Sequence, residues 1–194
     1  RHAKTIANIQ LLSNHFAVDL IIEAGQCKGI WVLNETSGDV YTIFAQGVIL
    51  ASGGAGQIFE RTTNPPAATG DGMAMALRAG AVMEDMEFVQ FHPTSLLLPN
   101  APPFLLSEAM RGEGARLINS NGKAFMTSYH PDGDLAPRDI VTRAILNEIQ
   151  QGQLVFLDLT SLEPDFVRQR FPTINSTCQT YGVDITQSPI PISP

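Results

Sequence analysis

Four apolar segments separated by turn residues dominate the first quarter of the chain and constrain its fold. Three of them, 17–22, 29–33 and 40–44, have the length and residue types of short antiparallel strands. The fourth, 46–50, ends in a continuous apolar run, which is typical of a strand that is buried on both faces. The pattern predicts a β-meander that leads into a buried strand.

Glycines follow the fourth segment directly. Ser52, Gly53 and Gly54 stand where a backbone or a ligand can come close, and their N–H groups can face an anion. A plain tight turn explains the same glycines equally simply. Asp71 lies between two glycines at the start of a predicted helix, 73–81. Its carboxylate either stabilises the helix N-terminus or accepts a hydrogen bond from a ligand hydroxyl.

Acidic and basic side chains cluster in the second half of the chain. A strand predicted at 88–91 should end at His92, because the proline that follows disfavours helical geometry there. Glu108 and Arg111 occupy neighbouring positions on a predicted apolar helix, 104–110. They form either an ordinary exposed ion pair or a buried acid and base that shift each other's protonation. His92 taken alone favours a structural role, and its charged companions favour a functional one.

Arg138 is the most informative of these residues. It follows Pro137 at the start of a predicted helix, 138–151, where the helix dipole disfavours a cation by roughly 0.3–1 kcal/mol. Either the adjacent Asp139 compensates, or Arg138 faces a bound anion. Imidazole, carboxylate and guanidinium groups among glycine and apolar residues are suited to hold a small dicarboxylate and to exchange protons with it.

The other predicted elements complete an α+β arrangement. They are a hairpin over 116–126, a strand at 153–159, and two helices at 164–171 and 173–181.

Composition excludes several classes of function. The net charge is −7, with 12 basic and 19 acidic residues, which makes nonspecific nucleic-acid binding unfavourable. No apolar run approaches the roughly 20 residues of a membrane span. Cys27 and Cys178 are far apart, so we expect no metal site and no disulfide, and we expect a reducing cytoplasm. The chain starts at Arg1 and stops within an extended tail, which we interpret as an internal piece of a longer enzyme.

The order of these motifs resembles the flavoprotein family that contains the succinate dehydrogenase and fumarate reductase flavoprotein subunits and the L-aspartate oxidases. The stretches that carry the resemblance are 48–54, 62–65, 69–72, 90–94, 107–114 and 136–139. Three further stretches look most like the L-aspartate oxidase members of that family: 104–109, 165–169 and 182–186.

The resemblance implies a fold of two parts, α/β and then α+β. Residues 1–84 would be the later part of a Rossmann-like FAD-binding domain, with its β-meander and final strand. Residues 85–194 would be the α+β capping domain that closes over the flavin. The resemblance also implies a set of residues at the FAD: Ser52, Gly53, Gly54, Asn64 and Asp71.

The same resemblance assigns roles in a dicarboxylate site. His92 would bind a substrate carboxylate, and Ser107 and Glu108 would lie at the substrate. Many relatives have threonine at the position of Ser107, and the hydroxyl is kept. Arg138 would be the catalytic acid and base, served by a proton relay through Glu108 and Arg111.

The implied reaction is FAD-dependent oxidation of L-aspartate to iminoaspartate, with oxygen or fumarate as acceptor. This reaction begins quinolinate and NAD biosynthesis, so quinolinate synthase is an expected partner. Two alternatives stay open: a fumarate reductase or succinate dehydrogenase flavoprotein subunit, and a non-catalytic domain that binds a dicarboxylate. The chain has no GxGxxG fingerprint, and the family's later substrate residues fall beyond Pro194. We therefore expect these 194 residues alone to bind FAD weakly or not at all and to be inactive.

Overall fold

A computed structural model describes residues 2–194 and divides them into two compact units. Unit 1 comprises the residues up to Glu60 together with Asn64–Met86. Unit 2 comprises Arg61–Thr63 and Glu87–Pro194.

Unit 1 is built on a three-stranded antiparallel meander. Its strands are β1 (His15–Glu23), β2 (Gln26–Asn34) and β3 (Val40–Phe44), hydrogen-bonded in that order. The tight connection between β1 and β2 passes through Ala24 and Gly25, which both adopt positive φ angles. The predicted meander is therefore confirmed.

The predicted fourth strand, 46–50, is wrong. The segment has no regular secondary structure, and the side chain of Ile49 is 93% exposed. A buried parallel strand receives hydrogen bonds from a neighbour on each side. No segment within residues 2–194 pairs with 46–50, so its apolar sequence alone does not produce a strand.

Helix α1 (Asp71–Arg78) follows in unit 1 and begins two residues earlier than predicted. It also ends earlier, because Gly80 takes a left-handed conformation with φ 86°. Arg78 in its last turn donates to Asp19 of β1 at 2.8 Å, which ties the helix to the meander. A single 3-10 turn, Gly56–Ile58, lies in the loop before it.

Unit 2 has a four-stranded antiparallel sheet with the strand order β4–β7–β6–β5. The strands are β4 (Ser95–Leu96), β5 (Arg116–Asn119), β6 (Val155–Asp158) and β7 (Ile190–Ser193). Alternate residues of the inner strands are buried, so one face of the sheet packs on the core. The core includes these fully buried side chains: Leu106, Met110, Leu117, Val141, Ile145, Leu157, Val167, Ile185 and Ile190.

Four helices accompany this sheet. They are α2 (Ala109–Gly112), α3 (Arg138–Gln150), α4 (Pro164–Arg170) and α5 (Pro172–Thr180). The last three match their predictions to within a residue at each end, because prolines mark their starts and glycines follow α3 and α5. Two 3-10 turns, Met126–Ser128 and Gly133–Leu135, connect β5 to α3.

Two predictions in the first part of unit 2 are wrong. Segment 88–91 is not a strand, and the only pairing near it is the two-residue strand β4, just after Pro93. Segment 104–107 is not helical, and a short helix starts only at Ala109. Leu105 instead forms a β-bridge with Ser95. The backbone groups of this bridge are then not available for helical hydrogen bonds.

The predicted hairpin over 116–126 is reduced to one bridge between Ile118 and Ala124. The side chain of Asn119 accepts hydrogen bonds from the backbone N–H groups of Asn121 and Lys123, so it replaces part of the strand pairing. Over the described part of the chain, no helix has the length and apolar character needed to cross a membrane.

Candidate active site

Arg138 and Glu108 form the centre of a polar cluster in unit 2. Arg138 is the first residue of α3, and its Nε and Nη2 atoms both donate to Oε2 of Glu108, at 2.9 and 2.7 Å. Its third nitrogen, Nη1, donates to Oε1 of Gln90 at 3.2 Å. Three hydrogen bonds from one planar group hold the guanidinium in a single orientation.

Arg111 extends the cluster into the core. Its side chain is 1% exposed, and its Nη2 atom donates to Oε1 of Glu108 at 3.2 Å. Its Nη1 atom donates to the backbone oxygen of Asp134 at 2.5 Å. Glu108 therefore receives one arginine on each carboxylate oxygen, and the three side chains form a continuous hydrogen-bonded chain.

The electrostatics of the cluster favour a charged Glu108. Hydrogen bonds from Arg138 lower the pKa of this carboxyl, against a smaller effect of burial. Burial lowers the pKa of Arg111, while Glu108 and Asp134 raise it. A buried guanidinium needs such partners, because removing one partner of a buried ion pair leaves an uncompensated charge.

His92 lies near this cluster and is half-buried. Its Nδ1 accepts from the backbone N–H of Thr94 at 3.3 Å, and the Thr94 hydroxyl is 3.4 Å from the same nitrogen. That hydroxyl donates to the backbone oxygen of Leu106 at 2.9 Å, so Thr94 is itself held in place. Burial and then the charge of Arg138 lower the pKa of His92, so its imidazole is neutral at pH 7.

Ser107 precedes Glu108 at the start of α2. Its Oγ accepts from the backbone N–H of Ala109 at 3.2 Å, and its backbone oxygen accepts from Met110. The residue thus stabilises the helix start that presents Glu108. The hydroxyl proton is left to donate elsewhere, because the Ala109 contact uses the oxygen as acceptor.

In unit 1, the glycine loop (residues 52–54) packs against the N-terminus of α1. The backbone N–H of Gly70 donates to the oxygen of Gly54 at 3.1 Å. A Cβ built on Gly72 would lie 1.9 Å from Oγ of Ser52, so no larger residue fits there without a shift. Around Gly53, in contrast, an added Cβ would meet no atom within 4 Å.

Asn64 and Asp71 lie at the same junction. A Cβ on Gly56 would be 2.7 Å from the Asn64 side chain, so Asn64 packs on the loop just after the glycines. Asp71 is the first residue of α1, and its carboxylate accepts a hydrogen bond from the Thr69 hydroxyl. All five residues proposed for the cofactor therefore surround one loop–helix junction in unit 1.

Three residues of the unit 2 cluster were missed by the sequence reasoning: Gln90, Thr94 and Asp134. Gln90 and Thr94 belong to the same five-residue stretch as His92, so the stretch itself was a usable signal. Asp134 precedes Arg138 by four residues in the 3-10 turn Gly133–Leu135, and nothing in its local sequence points to Arg111.

The unit 2 cluster can bind anions and move protons. Arg138 and His92 offer N–H donors to a carboxylate, and the Arg138–Glu108–Arg111 chain connects donors and acceptors without a break. Within residues 2–194, no group of three or more histidine, cysteine or acidic side chains could hold a metal ion.

Known proteins similar to the chain agree with a flavoprotein origin. The chain is 47% identical to an L-aspartate oxidase of Synechocystis sp. over 96% of its length, which is 35% of that protein. It is 49% identical to L-aspartate oxidase 1 of Ralstonia nicotianae, over 96% of this chain and 37% of that one. The chain thus spans about a third of the length of the curated relatives it matches.

Solved structures give the same picture. A mutated FrdA of the E. coli quinol fumarate reductase matches 92% of this chain and 34% of its own, with a TM-score of 0.80 and 36% identity. The Mycobacterium smegmatis Sdh1 complex with UQ1 matches 92% of this chain and 31% of its own, with a TM-score of 0.64 and 36% identity.

The family described as "FAD binding domain" matches residues 1–194. This chain therefore belongs to the FAD binding domain family.

Proposed function

We propose that the chain is part of a longer FAD-dependent L-aspartate oxidase, which converts L-aspartate to iminoaspartate with oxygen or fumarate as acceptor. The observation that carries the proposal is the hydrogen-bonded chain Arg138–Glu108–Arg111 with the half-buried imidazole of His92 near it. Relatives named L-aspartate oxidase, 44–49% identical over nearly the whole chain, support the choice of substrate.

The substrate would be bound by donors of unit 2. A neutral His92 can donate one N–H to a carboxylate, because its Nδ1 already accepts from Thr94. The Ser107 hydroxyl and Glu108 lie next to each other in the chain and would contact the substrate from the start of α2. Such fixed donors hold a dicarboxylate in one orientation, which lowers the entropy cost of reaction.

Arg138 would exchange the proton of the reaction. Oxidation of an amine to an imine removes a hydride from the α-carbon and a proton from the nitrogen. Arg138 would take that proton as it gives one to Glu108, Glu108 would give one to Arg111, and Arg111 would release one of its own protons on the side away from Glu108. Each group thus ends in the protonation state in which it began.

The residues of unit 1 fit a bound FAD. Ser52 and Gly72 approach so closely that a Cβ on Gly72 would need the Ser52 side chain to shift, while a Cβ on Gly53 or Gly54 would meet no atom within 4 Å. This gives exposed backbone beside a helix N-terminus, which is suited to an anionic cofactor. We assign Ser52, Gly53, Gly54, Asn64 and Asp71 to this site, and FAD, when bound, supplies the hydride acceptor.

The experiment is an assay of the full-length protein. Purified enzyme is expected to be yellow and to form hydrogen peroxide when L-aspartate and oxygen are supplied. No peroxide from L-aspartate, together with rapid succinate oxidation, would reject the oxidase in favour of the alternative below.

The alternative is the flavoprotein subunit of a fumarate reductase or succinate dehydrogenase. It is favoured by the TM-score of 0.80 with the E. coli quinol fumarate reductase. The same cluster serves both reactions, because fumarate reduction also needs one proton delivered to a bound dicarboxylate. The choice of substrate in the assay separates the two.

The proposal also places the protein in a cellular setting. Iminoaspartate would feed quinolinate and NAD biosynthesis, so quinolinate synthase is the expected partner. The reaction would take place in the cytoplasm.

We assign residues 1–84 to the FAD-binding domain and 85–194 to the capping domain.

A further inference from the structure

The hydrogen-bonded chain Arg138–Glu108–Arg111 can carry protons away from a substrate only if one of its ends exchanges them with solvent. Arg138 is the end that would face the substrate. At its other end, Arg111 is 2% exposed and cannot exchange protons with bulk water by itself. Its Nε atom is buried and, among the described residues, has no hydrogen-bond partner. A proton leaving Arg111 on this side therefore needs another group to take it up.

A cavity of about 340 Å³ lies beside Arg111 in unit 2. The side chains and backbone that line it include Arg111, Arg116, Asp132, Gly133 and Asp134. Its volume holds several water molecules, and its polar groups supply the two to four partners that each one needs.

Asp134 is the acid best placed in this cavity. Its backbone oxygen accepts from Nη1 of Arg111 at 2.5 Å, so the two residues are in direct contact. Its carboxylate accepts from the backbone N–H of Leu117 at 2.9 Å, which fixes its position. Burial raises the pKa of Asp134, against lowering by that hydrogen bond and by the charges of Arg111 and Arg116. Asp132 lines the same cavity.

We infer that Asp134 is the outer residue of the proton relay: it receives protons from Arg111 across the water of this cavity and passes them to solvent. This inference rests on the proposed function. A proton released by the substrate moves through Arg138, Glu108 and Arg111 and then, across cavity water, to the Asp134 carboxylate. Asp134 releases it to solvent and returns to its ionised state. Asp134 acts through Arg111 and does not touch the substrate.

The test compares three variants of the full-length holoenzyme with the wild type. Asp134→Asn keeps the acceptor for Leu117 but cannot carry the proton, so kcat for L-aspartate should fall about tenfold or more with KM changed less than about twofold. Asp134→Glu should restore most of kcat. Asp132→Asn, a matched change in the same cavity, should leave kcat unchanged.

Arg116→Gln provides a second readout that does not alter Asp134 itself. Arg116 is exposed, so this variant should fold normally. Removing its charge should raise the pKa of Asp134, which moves the acid limb of the kcat–pH profile to higher pH. Asp134→Asn should abolish that inflection.

The outcomes separate the two proposals. A wild-type enzyme that oxidises neither L-aspartate nor succinate and does not reduce fumarate overturns the proposed function, and this inference falls with it. An active wild type with an unchanged kcat in Asp134→Asn overturns the inference alone. So does an equal loss in Asp132→Asn, a failure of Asp134→Glu to restore kcat, or an unshifted profile in Arg116→Gln. If Asp134→Asn does not fold, the Asp134→Glu and Arg116→Gln results decide.

Discussion

Arg138 donates two hydrogen bonds to a single carboxylate oxygen of Glu108, 30 residues earlier in the chain, at 2.9 and 2.7 Å. The guanidinium starts helix α3, where the helix dipole disfavours a positive charge. The Glu108 carboxylate compensates for it from another element. Asp139, the adjacent acid, instead pairs with Arg143 on the exposed face of the same helix. The positive charge of Arg138 is therefore stabilised by Glu108 and belongs to the polar cluster of unit 2.

Replacing Arg138 by lysine tests its assignment as acid and base. Lysine keeps the positive charge but cannot place two nitrogens on the Glu108 oxygen. In the full-length enzyme, Arg138→Lys is expected to lower kcat by roughly 10²–10⁴-fold, measured by peroxide formation from L-aspartate. Arg143→Lys is the matched control on the same helix and should retain full activity. Unchanged turnover in Arg138→Lys would favour a non-catalytic binding domain.

His92 should titrate below the ordinary value of 6.5, because burial and the charges of Arg138 and Arg111 lower its pKa and outweigh the raising effects of the Thr94 hydrogen bond and of Glu108. The unfolded chain then binds more protons than the folded chain as the pH falls through 6.5, so acidification should destabilise the fold. NMR titration of the imidazole, assigned with His92→Gln, measures the midpoint. Arg138→Gln should move that midpoint to higher pH. A wild-type midpoint above 6.5 would contradict the local electrostatics.

Gly72 and Gly54 form a matched pair at the proposed FAD site. Gly72→Ala places a methyl group 1.9 Å from the Ser52 hydroxyl oxygen, so both thermal stability and flavin content should fall. Gly54→Ala meets no protein atom within 4 Å, so it should lower flavin content without loss of stability. Flavin absorbance of the purified full-length variants and their apo-protein melting curves provide the two readouts. Full flavin content in both variants would remove this loop from the site.

Leu157 and Leu154 test the core of unit 2. Leu157 is fully buried at the centre of β6, and its truncation to alanine leaves a cavity that should cost about 2–5 kcal/mol. Leu154, just before the strand, is 61% exposed, and the same change there should stay within about 0.5 kcal/mol. Chemical denaturation of the two variants measures both. Equal losses would mean that the sheet does not pack as described.

Local signals were sufficient for much of unit 2. Helices α3, α4 and α5 begin beside prolines, and α3 ends just before Gly152, so their bounds follow from backbone preferences that act over a few residues. The meander of unit 1 could also be predicted from the sequence, because each of its strands pairs with the next one along the chain.

The wrong secondary-structure predictions concern segments whose conformation depends on contacts with distant parts of the chain. Segment 46–50 has the composition of a buried strand, but a strand exists only with neighbours, and none of the described segments pairs with it. The helix expected at 104–110 gave way to a bridge between Leu105 and Ser95. Apolar content alone does not tell a helix from an extended segment over so few residues.

By itself, the sequence determined which chemical groups are present and which elements form from local preference: the meander, the proline-bounded helices, and the arginine at the start of α3. Only the tertiary structure decided that Glu108, which its spacing already paired with Arg111, also binds Arg138, and that Arg111 donates to the backbone oxygen of Asp134. The physical reason is the distance along the chain over which each kind of interaction acts. Backbone preferences act over a few residues, while hydrogen bonds from a side chain to a group 20 to 30 residues away depend on packing of the whole unit.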